Sequence, residues 1–411
     1  MKKILFLLAV CALGLSAFGF ALTRTKIIKP IPELLASLDE DISEEDLTPE
    51  NQQEQSKIQV VFALDCTGSM GGLIQAAKDK IWSIATGMSQ AQSNPDISFG
   101  FVFYRDRGDD FVTKKVQLTN DMDLAYRELM DMRASGGGDT PESVNQALYE
   151  AINDFQWDSD EKVFKVVFLV GDAPPHMDYQ DDVKYPETCK QAVKKDIIIN
   201  TIQCGNMRQT TPIWQEIAQR AQGEFLQLEQ SGSEVVIHCP HDKEISRLMG
   251  IIDDTRIYYG SASERIQQQD KINATEKIKG EASSGVQAKR AEFNYSNSKN
   301  KSNYMGRNEL ITDLEAGKVK LEALQAEQLP ENMRKMTLIE RKKYVDDLAT
   351  KRKEAEAKLS IQIKERSAYV EAETMKLGEA AIDNSFSANV HKVVVKQAES
   401  KNIIIDKKVK N

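Results

Sequence analysis

The chain has 411 residues, 41% of them apolar and 28% charged, with a formal net charge of −9. That length allows two or three domains, and the acidic balance argues against nucleic acid as a partner. Beyond residue 22 no stretch is long and apolar enough to span a bilayer, and no internal repeat recurs at a fixed period.

Met1-Lys2-Lys3 precedes an uncharged apolar run from Ile4 to about Leu22, with Gly19-Phe20-Ala21 offering small residues for cleavage. This predicts a secretory signal over residues 1–21 and an exported product that is periplasmic, extracellular or on the cell surface. The alternative is an uncleaved anchor, because the run reaches the roughly 18 to 20 residues a spanning helix needs; membrane contact is expected only in that case. Residues 22–56 read as an acidic linker.

Ile58 to Leu64 is an apolar strand that runs directly into Asp65-Cys66-Thr67-Gly68-Ser69. One carboxylate and two hydroxyls at alternate positions suit a hard divalent cation, magnesium or manganese before calcium and well before zinc. The competing reading is a hydroxyl cap on the helix that follows. Leu73 to Met88 has Leu73, Ala77, Ile81 and Ile84 on one helical face. Ile97 to Tyr104 and Phe111 to Leu118 flank the turn 105–110 as an antiparallel pair. Ser135 to Glu142 holds three glycines, Asp139 and Thr140, with Pro141 placed to open a helix reaching about Phe155. Val163 to Val170 is a strand buried on both faces that ends in Gly171-Asp172-Ala173-Pro174-Pro175. Ile197 to Gln203, Ile213 to Ala221, Glu224 to Leu228 and Ile245 to Ile252 continue as strand, helix, strand and helix. Alternating strands and helices predict an α/β fold with a doubly wound, mainly parallel sheet flanked by helices. In such a sheet, ligands bind outside the carboxyl ends of the strands, where Asp65, Thr140 and Asp172 would meet.

Asp65, Thr67 and Ser69, then Thr140, then Asp172 resemble the metal-ion-dependent adhesion site of von Willebrand factor type A (VWA) domains, also carried by integrins. Thr67 stands where that family's Asp-x-Ser-x-Ser loop has its first Ser, Thr140-Pro141 matches its second loop and Asp172 its third. The resemblance covers about Lys57 to Ile252. It implies that hydroxyls hold magnesium directly while the aspartates act largely through water. A cation with mostly neutral ligands stays electrophilic, so a partner protein's carboxylate can complete its shell.

Within residues 57–252, 19 basic residues stand against 29 acidic ones, and within 253–411, 30 against 25. The acidic module helps to attract a divalent cation. Arg105 and Arg107, at the same edge, and Asp178 and Asp181, in the loop after Asp172, are candidate partner contacts; the alternative is charged turns facing solvent. Cys66, Cys189, Cys204 and Cys239 allow three full disulfide pairings if the chain is exported. His238-Cys239-Pro240-His241 lacks the paired spacing of a zinc site and reads as a turn.

The VWA module is expected over 57–260, then a polar linker with some helix over 261–306. Residues 307–376 read as a helical hairpin or coiled-coil region. Leu310, Leu314, Gly317, Leu321 and Leu324 make one stripe; Thr337 to Glu340 starts a second helix through Tyr344, Leu348, Ala355, Leu359, Ile363 and Val370. Residues 377–411 add a helix and a short strand at Ile403-Ile404-Ile405. Self-association through this helical tail follows if the stripes stay exposed.

These readings converge on an exported binding protein whose magnesium captures an acidic side chain of another protein. A scaffold whose metal serves folding or binds its own tail is the alternative. A phosphatase-like hydrolase with Asp65 as nucleophile is a weaker one: Thr67 occupies the place where its second, proton-carrying Asp is needed.

Overall fold

The computed structural model describes residues 55–231, 236–297, 301–377 and 385–405, with only the backbone of residues 301 and 302. The expected signal and acidic linker lie outside them. Strands β1 (Lys57–Asp65), β2 (Asp96–Tyr104), β3 (Thr113–Thr119), β4 (Phe164–Gly171), β5 (Ile198–Cys204) and β6 (Phe225–Leu228) form one sheet in the order β3-β2-β1-β4-β5-β6. All neighbours run parallel except β2 and β3. The register pairs Asp65 with Tyr104 and Leu64 with Val170. Three loops therefore leave the sheet side by side.

Alternation along β1 explains both cores, because successive side chains point to opposite faces. Ile58, Val60, Phe62 and Leu64 join Phe101 and Phe168 under α1 (Gly71–Ser89) and α2 (Met122–Asp131). Val61 and Ala63 join Val102, Val167 and Leu169 under α3 (Val144–Asn153), α4 (Tyr185–Lys194) and α5 (Thr210–Arg220). The helices α2 and α4 have no counterpart in the sequence reading. Asp121 caps α2 by accepting from the Asp123 and Leu124 amides, and Pro186 sits in the first turn of α4. The helix expected from Pro141 starts later, at Val144, because Glu142 is held in a bridge to Pro175.

After β6 come α6 (Asp242–Asp253), α7 (Ala262–Glu281) and α8 (Ser284–Ser296). The last two occupy the stretch expected as a polar linker. Charge docks them. Arg290 reaches Asp123 (Nε–Oδ1 2.5 Å) and Asp253 (Nη1–Oδ2 2.8 Å), while Lys271 reaches Asp123 at 2.9 Å and Arg256 pairs with Asp253. All five side chains are 2–3% exposed. Phe293 adds an apolar contact, its ring 5.7 Å from Trp82.

Helix α9 (Lys301–Met305) leads to α10 (Leu310–Glu315), where the expected helix through Leu324 stops. Gly317 takes φ +66°, a conformation that ends helices. Leu310, Leu321, Leu324 and Leu329 instead gather with Met333, of α11 (Glu331–Arg334), and Val345 in a separate core. Helix α12 (Leu338–Leu377) runs 40 residues, about 60 Å at 1.5 Å per residue. Thr337 and Glu340 form its starting box: Glu340 accepts from the Thr337 amide at 2.7 Å, and Thr337 Oγ1 from the Glu340 amide at 3.3 Å. Its Ala355, Leu359 and Ile363 pack with Ile245, Leu248, Met249 and Ile252 of α6. Arg352 grips Glu309 through two 2.9 Å bonds. The stripe residues Ala355, Leu359 and Ile363 are thus covered within the chain.

Helix α13 (Phe386–Ala398) lies against the β1 side of the first core: Val390, Val393 and Val394 are buried there, and the Phe386 ring is 6.4 Å from Phe62. Ile403 to Ile405 forms no strand. Ile403 and Ile405 are buried, and the Ile404 carbonyl accepts from the Gln92 amide at 3.0 Å. Among the described residues no helix is long and apolar enough to cross a membrane.

Candidate metal centre

Asp65 ends β1 fully buried. Its Oδ1 accepts from the Thr67 amide (2.8 Å) and the Thr67 hydroxyl (2.7 Å). With that proton committed, the lone pairs of Thr67 Oγ1 are free for a cation. Ser69 Oγ lies 3.4 Å from Thr67 Oγ1. No side chain of this loop caps the helical turns that follow, so the capping role is not the one these hydroxyls fill.

The second loop is tied to the first by the backbone bonds Gly68 N to Gly136 O (3.2 Å) and Ser135 N to Cys66 O (3.1 Å). Gly136 and Gly137 have φ +82° and +87°, and a Cβ on Gly136 would lie 2.3 Å from the Asp109 carboxylate. Only glycine fits both demands. Thr140 is exposed on this loop and hydrogen-bonds to none of Asp65, Thr67, Ser69 or Asp172 among the described residues. Glu142 is the buried member. Its Oε1 lies 3.5 Å from where a Gly137 Cβ would be, and Thr67 Cβ is 3.4 Å from the same point. Sequence reasoning missed Glu142; its place directly after Pro141 in a glycine loop was the available signal.

The third loop follows β4. A Cβ on Gly171 would meet Asp65 Oδ2 at 3.0 Å and Tyr104 Oη at 2.5 Å, so this glycine makes room for the Asp65 carboxylate. Asp172 is buried and its Oδ2 accepts from Gln230 Nε2 at 2.7 Å. Gln230 was also absent from the sequence reading.

Asp65 Oδ2 and Glu142 Oε2 are buried without a hydrogen-bond partner. Burial pushes the Asp65 carboxyl up to about 7, against the opposing Thr67 bonds, and the Asp172 charge adds to the rise. Burial pushes Glu142 up to about 9, and the charges of Asp65, Asp106, Asp109 and Asp172 push it further. Orphaned buried carboxylate oxygens that repel one another are what a divalent cation relieves. Asp65, Thr67, Ser69, Asp172 and Glu142 offer the hard oxygen donors that magnesium takes.

Arg105, expected at a partner face, is buried instead. Its guanidinium donates to the carbonyls of Cys66 (3.1 Å) and Arg133 (2.8 Å), bracing the first two loops. Arg107 binds Asp181 (3.0 Å) and Asp182 (2.8 Å) and lies over the Tyr179 ring. Asp178 Oδ1 accepts from His176 Nδ1 at 2.8 Å, with most of its side chain exposed. Cys66, Cys189, Cys204 and Cys239 are free, buried thiols, and none of the pairings their number allows is formed. His241 contacts Gln362 at 3.0 Å, away from any cysteine–histidine metal cluster among the described residues.

A family model described as the von Willebrand factor A domain matches residues 59–240. This segment is a VWA domain. Over 150 residues the chain is 29% identical to alpha-protein kinase vwkA of Dictyostelium discoideum, a match covering 35% of this chain and 23% of that one. The chain therefore spans less than a quarter of that relative's length. Among solved structures, proximal thread matrix protein 1 from the mussel byssus, with a zinc-occupied MIDAS motif, is similar at 18% identity and a TM-score of 0.34, over 43% of this chain and 42% of that one. The SpRpn10 VWA domain is similar at 14% identity and a TM-score of 0.33, over 43% and 89%.

Proposed function

We propose that the VWA domain binds a divalent cation, magnesium in the first instance, and uses it to capture a carboxylate of a partner protein. The observation that carries this is the pair of buried, unpartnered oxygens, Asp65 Oδ2 and Glu142 Oε2, on carboxyls whose charges repel each other, with the hydroxyls of Thr67 and Ser69 on the Asp65 loop. The exposed Ser69 and Thr140 leave the solvent side of the site open to a ligand from another molecule. VWA domains are in general binding modules and not catalysts, and Thr67 gives Asp65 a hydroxyl donor in place of a second acid. Export, led by residues 4–22, belongs to the same proposal; cell fractionation with an antibody to residues 55–405 tests it.

Calorimetric titration of the full chain with magnesium tests the metal. One equivalent should bind, and Asp65→Ala should abolish it while circular dichroism stays unchanged. Acetate or an Asp-containing peptide, used as carboxylate probe, should bind only with the metal present. Equal probe affinity before and after chelation would overturn the capture role.

A further inference from the structure

Beside this centre, three loops bring together a second set of ligating atoms. Asp106 follows β2, Asp139 stands in the glycine loop, and His176 follows Asp172. His176 Nε2 lies 3.3 Å from Asp106 Oδ2 and 3.8 Å from Asp139 Oδ1, and the three ligating atoms lie within 4.8 Å of one another. Neighbouring donors around a four- to six-coordinate ion about 2.1 Å away sit roughly 3 to 3.5 Å apart. The 3.3 Å pair falls in that range, and the exposed Asp139 carboxylate must move inward to bring its oxygen into it.

The site is built. The His176 side chain is 6% exposed, and its Nε2 is buried without a hydrogen bond. Its Nδ1 faces Asp178 Oδ1 at 2.8 Å. A carboxylate holding Nδ1–H leaves Nε2 as the lone-pair atom, the arrangement that orients metal-bound imidazoles. The ring stacks on Tyr179 at 4.0 Å between centroids and 10° between planes. Tyr179 in turn donates to Asp106 Oδ2 at 2.9 Å, and Ser143 donates to Asp106 Oδ1 at 2.9 Å. Asn145 holds the His176 carbonyl at 2.6 Å. A lone pair fixed between two carboxylates is repelled by both unless a cation stands among them.

We propose that His176, Asp106 and Asp139 form a second cation site, selective for a divalent ion of the zinc, cobalt or manganese class. Imidazole nitrogen with carboxylate oxygen favours such ions over magnesium. Three protein ligands leave at least one position open, and Asp139, 63% exposed, places that position toward solvent. The VWA edge then carries two adjacent cations of different chemistry, with the glycine loop serving both. An imidazolium ion-paired to the same carboxylates is the competing account.

Cobalt(II) titrated into the full chain under saturating magnesium, and followed by its visible absorption, separates the two. One equivalent should bind, and zinc should displace it. His176→Ala should abolish that uptake, and the exposed Asp139→Asn should weaken it at least tenfold while leaving circular dichroism unchanged. Asp65→Ala should remove magnesium binding and leave cobalt binding, so either site can fail alone. Absence of cobalt uptake by the wild type would overturn the proposal and favour the imidazolium, as would an Asp139→Asn titration that superimposes on it. Should His176→Ala unfold, the Asp139→Asn comparison decides.

Discussion

At Asp65 and Glu142 the fold holds acids that prefer their protons. Both folded values lie above the ordinary carboxyl range, Asp65 at about 7 and Glu142 at about 9. A raised carboxyl pKa means that the folded state binds more protons than the unfolded one between the two values. The penalty is absent below about pH 4, grows as pH rises through 7, and is complete above 9. Metal-free protein should therefore lose stability steadily from pH 5 to pH 9. Saturating magnesium should flatten that slope, because the cation replaces the proton. Urea denaturation at pH 5, 7 and 9, with and without magnesium, checks this; an identical slope in both series would contradict it.

At the scale of elements, the buried ion cluster between α2, α6, α7 and α8 performs the docking that apolar side chains perform elsewhere. Burial pushes the Asp123 carboxyl up, but Arg290 and Lys271 more than reverse this and hold it well below its usual range. Arg290→Ala would leave Asp123 buried with its main counter-charge gone and Asp253 with one fewer. Removing one partner from such a network costs about 3 to 5 kcal/mol, and denaturant midpoints should show it. The same cluster explains what sequence reading could and could not reach. Strands with alternating or continuous apolar residues, and α1 and α6 with a clear stripe, were legible because their burial is apolar. Helices α7 and α8 read only as some helix within a polar linker, since Lys271 and Arg290 look like solvated charge until Asp123, some 150 residues earlier, is placed beside them. At the site, Asp65, Thr67 and Ser69 stood out by their alternate positions and Asp172 by ending a strand, and the resemblance to VWA domains joined them. Glu142, Gln230 and the His176 cluster depend on contacts between loops that no local pattern carries.

At the scale of the molecule, the VWA segment and the residues after it share their interior. Phe293 stacks near Trp82, Phe386 near Phe62, and Gln397 exchanges two side-chain bonds with Asn200 of β5 at 2.8 and 2.9 Å. A boundary at residue 260 thus cuts through a core. Residues 55–260 expressed alone should bind a hydrophobic dye strongly and sediment as aggregates, whereas 55–405 should do neither; a monomeric, dye-silent short form would show that the later helices are dispensable.

The position of α13 also bears on the order in which the protein is made. Phe62 leaves the ribosome more than three hundred residues before Phe386, the ring that comes to lie beside it. At about 5 to 20 residues per second, that part of the sheet stays open to water for roughly a quarter of a minute or more. During that time it presents parallel strands rich in Phe and Val, the kind of surface that chaperones hold. Synthesis itself thus sets an interval in which this chain is exposed to misassembly.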